Sequence, residues 1–193
     1  GRDLLARILR TRRASWEGRG KYREPASPDT SDLPELPEGW VWASIEQLSS
    51  AEPNSLCIGP FGSNLKVEDY RGEGVPLIFV RNIRAKNFDD LSPKFVSEEK
   101  ARELSSHCVY PGDLLITKMG DPPGDVCIYP TNRPVAVITA DCIRLATSKV
   151  GVCPGYLEKA IASRVVQTQI QAISKGVAQQ KVTLANFKKI AIP

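Results

Sequence analysis

An α+β domain is what residues 40–193 predict, on three observations. Their apolar runs are short, rich in strand formers, and separated by Gly- and Pro-bearing turn clusters. A few stretches instead carry apolar residues at helical spacing, and no repeat of fixed period is visible. In chain order, Trp40 and Trp42 alternate as on a strand, and Ser44 with Gln47 forms a capping box that opens a short helix. The run 75–81 (VPLIFVR) is a strand, and Ser97 before Glu98 and Glu99 starts a helix reaching about Ser105. Pro111-Gly112 suits the centre of a type II turn, after which 113–118 reads as a strand. The cluster 120–125 (GDPPGD) turns the chain into another strand, and 135–145 (VAVITADCIRL) is the longest strand candidate. Residues 155–174 form the best helix of the body, with Leu157, Ala160, Ile161, Val165 and Ile170 near helical spacing and Gly176 as its C′ residue. A turn and a short strand close the chain.

Ahead of this body lie two further regions. Residues 4–16 (LLARILRTRRASW) are helical, with a stripe of Leu4, Leu5, Ile8, Leu9 and Trp16 among arginines, ended by Gly18 and Gly20. A helix this short needs a partner surface, in the domain or in another chain segment. Residues 24–39 carry Pro25, Pro28, Pro34 and Pro37 with five acidic residues, which reads as an extended, semi-stiff linker. The domain expectation is therefore 1–20 as a helix end, 21–39 as a proline-rich acidic linker, and 40–193 as the body.

Of the 193 residues, 41% are hydrophobic and 25% charged, ordinary globular usage. No stretch approaches the ~18 consecutive apolar residues that span a bilayer, and the amino terminus lacks the apolar core of a secretory signal. Cys57, Cys108, Cys127, Cys142 and Cys153 are scattered and odd in number, as expected of reduced, mostly buried thiols in a cytoplasmic protein. The net charge of +4 is uneven: residues 1–23 carry +6, 24–56 carry −7 and 57–193 carry +5. A modestly basic body is compatible with a polyanionic partner without establishing one.

Enzyme motifs are mostly missing. His107 is the single histidine, no G-x-S-x-G elbow occurs, and the cysteine spacing has no C-x-x-C, so neither a nucleophile–base pair nor a zinc or other metal site is expected. Two partial motifs define the catalytic alternative, an adenine methyltransferase or a metal-dependent nuclease. Asp121-Pro122-Pro123-Gly124 resembles the D-P-P-aromatic motif of amino-methyltransferases but lacks the ring that stacks on a flipped base. Glu98-Glu99-Lys100 contains an E-x-K triplet, placed on a helix start rather than on a strand.

Two loops suit nucleic acid instead. In 58–66 (IGPFGSNLK), two glycines around Pro60 and Phe61 free backbone N–H groups, while Ser63, Asn64 and Lys66 add donors and a charge. The plainer alternative is a surface turn with Phe61 tucked into the core. In 174–181 (SKGVAQQK), two amides lie between lysines beside a glycine, although Lys175 also suits a helix C-terminus. Arg81, Asn82, Arg84 and Lys118 lie at strand ends from which they can reach the same rim.

The ordered motifs WVWASIEQL, IGPFGSNL, GVPLIFVRNI, YPGDLLITKMG, ITADCIRL and SKGVAQQKVTLANFKKIAIP resemble the target recognition domain of the specificity (S) subunit of type I restriction-modification systems. The resemblance covers about residues 38–193, and the preceding helix and linker are similar to the end of that family's conserved spacer helix. It implies a non-catalytic subunit that reads one half-site of a bipartite target on double-stranded DNA. Modification (methyltransferase) subunits would be held on that DNA, a restriction subunit would join through the assembly, and no cofactor would bind this chain. The helix would pair with a second spacer helix, in the other half of a longer subunit or in a dimerising copy; the stop at 190–193 (IAIP) favours a fragment, the second recognition domain. The resemblance implies Lys66, Lys118, Lys175 and Lys181 near phosphates, and Asn64, Arg81, Asn82, Gln179 and Gln180 near base edges. Gly59, Gly62 and Gly176 would permit close backbone approach, with Phe61, Ser63 and Arg84 completing the DNA-facing set. The arginines of 4–16 would be solvated flanks of a helix–helix seam.

Overall fold

A computed structural model describes residues 1–16, 20–84, 87–90, 93–174 and 180–193. The described elements, in chain order, begin with α1 (Arg2–Ala14), β1 (Ala43–Ser44), α2 (Ile45–Leu48), β2 (Leu56–Ile58) and β3 (Val75–Ile78). Next come β4 (Ile83–Arg84), β5 (Asn87–Phe88), β6 (Lys94–Val96), α3 (Glu98–Glu103), β7 (Cys108–Val109) and β8 (Leu114–Thr117). The chain continues through β9 (Met119–Gly120), β10 (Val126–Ile128), β11 (Ala136–Ile138), β12 (Cys142–Leu145), α4 (Pro154–Ile161) and α5 (Arg164–Ile173). It ends with β13 (Gln180–Lys181), α6 (Leu184–Phe187) and β14 (Ala191–Ile192). The fold is α+β.

Two four-stranded sheets make the centre, ordered β10-β8-β12-β2 and β6-β3-β11-β7. All their pairings are antiparallel except β3 with β11. Side chains alternate along each strand. Leu114 and Ile116 of β8 and Ile143 and Leu145 of β12 point toward Leu157, Ile161, Val166 and Ile170 of α4 and α5. Leu115, Cys127 and Cys142 point the other way and meet Ile78, Ala136 and Ile138 of the second sheet. That sheet's far face, with Leu77 and Val137, packs on Ala101 of α3 and on Leu104 just after it. Because both faces of β8 are covered, all four of its residues are buried. This explains its unbroken apolar run.

The capping box of α2 forms as its sequence predicts: Gln47 N donates to Ser44 Oγ, and Ser44 N to Gln47 Oε1. Ser97 likewise caps α3, accepting from Lys100 N. Asp113 N donates to Tyr110 O across the Pro111-Gly112 turn. Four expectations need correction. Trp40 and Trp42 belong to no strand; the strand begins at Ala43, and Trp40 is 52% exposed. The 135–145 run is two strands, β11 and β12, in different sheets, turned by Cys142 N donating to Thr139 O. The 155–174 helix breaks at Ala162-Ser163. Its buried positions shift phase there: Val166, not Val165, continues inward after Ile161, and one unbroken helix would turn that residue aside. Finally, Arg12 is buried rather than a solvated flank, donating to the backbone O of Ser49 and Ser50 and to Ser49 Oγ.

Through Arg12 and the buried Ile8, α1 finds its partner surface on the body itself. The 21–39 segment has no helix or strand; Pro25 is buried and Ala26 O accepts from Ser44 Oγ at 2.8 Å. Among the described residues, no helix is long and apolar enough to cross a membrane. Cys57, Cys108, Cys127 and Cys142 are buried free thiols and Cys153 is an exposed one.

Candidate nucleic-acid interface

Strand register brings several chain segments to one end of the paired sheets. Ile58 lies opposite Ile143, Thr117 opposite Cys142, and Ile78 beside Ile138. The chain therefore leaves β2, β3 and β8 where it makes the 139–141 turn between β11 and β12.

That turn is the hub of the end. Thr139 N and Oγ1 both donate to Ile78 O, at 2.9 and 2.8 Å. A Cβ on Gly59 would lie 2.2 Å from the Thr139 carbonyl, so only glycine lets the first loop cross here. Gly59 N donates to Cys142 O, and below it His107 Nδ1 donates to Ile58 O at 2.7 Å. On the other side, Lys118 N donates to Asp141 O, and Lys118 Nζ donates to Ala140 O at 3.3 Å.

Lys118 joins the two candidate loops. Its ammonium stands over the Phe61 ring, 5.0 Å from the centroid. Immediately after it, β9 pairs with β13, placing Gly120 opposite Gln180 and Met119 opposite Lys181, and Val182 N donates to Lys118 O. Phe61, Lys118, Gln180 and Lys181 thus share one rim. Phe61 is 56% exposed, which removes the reading that tucks it into the core. Gly62, Ser63, Asn64, Lys66 and Lys181 are exposed, and Gly62 turns at φ +59° with open space around it. Arg81, following β3, stacks its guanidinium 4.1 Å from the Phe79 ring centroid.

Two expected contacts have other work. Gly59 makes a close approach to the chain's own Thr139. Asn82 is buried and braces its loop: Oδ1 accepts from Phe79 N at 2.9 Å and Nδ2 donates to Asp89 O at 2.8 Å. Lys175, Gly176 and Gln179, the Arg84 side chain and the helix-ending Gly18 lie outside the described residues. Sequence reasoning missed the 139–141 turn because the apolar run hid it; Asp141, an unfavourable strand residue, was the available signal.

The partial enzyme motifs fit poorly. A Cβ on Gly124 would meet Ile170 Cδ1 at 3.0 Å, so a side chain there points into the core, not toward a base. Glu98 and Glu99 are exposed on the first turn of α3, and Lys100 Nζ pairs with Glu103 at 3.0 Å. Among the described residues no group of three or more His, Cys, Asp or Glu is placed to hold a metal.

No family model and no curated protein matches the chain. Solved structures do. A chain from a type I R-M system, studied for complex assembly and conformational transition, matches over 99% of this chain and 40% of its own length, with TM-score 0.57 and 13% identity. The HsdS subunit of Thermoanaerobacter tengcongensis matches over 100% of this chain and 39% of its own, with TM-score 0.54 and 14% identity.

The chain has an HsdS fold.

It spans about two-fifths of the length of these solved chains. Within that HsdS fold, the α+β class predicted for 40–193 is the one observed, and the match extends through α1.

Proposed function

We propose that the chain is a DNA-reading, non-catalytic part of a type I restriction-modification specificity subunit. In this reading residues 40–193 form the target recognition domain, 21–39 the linker and 1–20 the end of a spacer helix. The domain takes one half-site of a bipartite duplex target, while modification subunits, and restriction subunits through the assembly, supply the chemistry. The observation that carries this is the single rim on an HsdS fold, where Lys118 stands against Phe61 and next to the Gln180–Lys181 strand. Cations there suit phosphates and the amide suits base edges. Lys66 and Lys181 would hold the backbone; Asn64, Gln180 and Arg81 would read, with Ser63 supporting. Lys175, Gly176, Gln179 and Arg84 remain part of the proposal from sequence alone.

The test assembles the chain with its modification subunits and selects duplexes from a randomised pool. The selected sequence should bind more tightly than a scrambled duplex across a salt series. Equal affinity at every salt concentration overturns the reading.

A further inference from the structure

Phe61 is an apolar ring left 56% exposed on a stem that cannot easily move. Pro60 before it is buried, and Gly59 is held against Thr139. Lys118, tethered to Ala140 O, stands over one face of the ring. The exposed remainder of the ring lowers its free energy by leaving water for an apolar partner.

An unopened duplex offers few such partners. Stacked bases turn only their edges to the grooves, and in the major groove the apolar group on those edges is the thymine 5-methyl. Full stacking between two base pairs would bury both faces of an aromatic ring, and any wedge must also offset a few kcal/mol of unstacking. Here one face is already taken by the Lys118 ammonium. A one-sided contact remains, with the cation beside it facing the polyanionic backbone.

We infer that Phe61 is a specificity-determining residue that reads a thymine methyl group in the half-site. This rests on the DNA-reading function proposed above. The experiment replaces each thymine of the selected duplex with deoxyuridine, which removes the methyl and leaves base pairing intact. At one thymine the assembled protein should lose affinity about fourfold, near the worth of one buried methyl-sized group. Phe61→Ala should bring the thymine duplex down to the affinity of its uracil counterpart, and Phe61→Leu, which keeps an apolar surface, should restore part of the difference. A half-site without thymine, a wild-type protein indifferent to every replacement, or sensitivity that survives in Phe61→Ala overturns the inference. In each of those cases a preference for selected over scrambled duplex leaves the DNA-reading function standing; loss of that preference overturns both. The uracil series on the wild-type protein needs no variant to fold.

Discussion

Gly59 shows how little space separates the two sheets at the rim. Alanine there puts a methyl into the Thr139 backbone, and neither backbone can swing aside as a side chain does. Gly59→Ala should therefore destabilise the chain by about 1–3 kcal/mol, read by urea unfolding. Gly62→Ala, with open space and only its left-handed backbone to strain, should cost about 1 kcal/mol. The buried thiols act on a different axis. Burial pushes Cys57 from 9.0 up to about 11 and Cys142 from 9.0 up to about 12. The folded chain favours the neutral thiol, so the unfolded chain loses protons first as pH climbs. This stabilisation is whole below the ordinary value of 9.0 and is lost progressively toward the folded values. The urea midpoint should accordingly fall once the pH passes that ordinary value. A thiol reagent at neutral pH should modify exposed Cys153 first.

At the scale of elements, α1 depends on its anchors. A helix of 13 residues is marginal by itself, and this one is held by Ile8, 2% exposed, and by the three bonds from Arg12. Ile8→Asp buries a charge and Arg12→Ala removes the bonds. Either should raise amide exchange along Arg2–Ala14 toward that of a free peptide, while β8 and β12 stay protected. Protection of α1 unchanged in both variants would disprove this dependence. Cap signals are strong local determinants, which is why α2 and α3 were legible: Ser44 and Ser97 each satisfy a backbone donor wherever the helix lies. The double strand of 135–145 and the split helix of 155–174 were not legible. In both, an apolar pattern runs across a break whose position depends on which neighbouring layer each half must cover.

For the whole molecule, the anchoring of α1 and the candidate rim sit at opposite ends of β12. Arg12 binds Ser49, whose strand partner Thr147 follows β12, whereas the 139–141 turn precedes it. Under the proposed function, a spacer helix and a reading rim can thus act without competing for surface, and phosphate contacts set the salt dependence. Lys66→Gln and Lys181→Gln should each lower the slope of log affinity against log salt by about 0.9, and weaken selected and scrambled duplexes alike. A variant that instead relaxed sequence preference would place that lysine on a base edge.

By itself the sequence determined the α+β class, the caps, the Pro111-Gly112 turn and the exposed polar stretch 62–64, because each follows from backbone preference or local hydrogen bonding. It also marked Phe61, Lys118 and Lys181 one by one. Only the tertiary structure decided that Lys118 meets Phe61 and that Lys181 pairs beside it, that Gly59 packs on the chain's own Thr139, and that Asn82 is a brace. Those outcomes depend on strand register and on which sheet each half of 135–145 joins. Such pairings link residues far apart in the chain, and no local pattern encodes them.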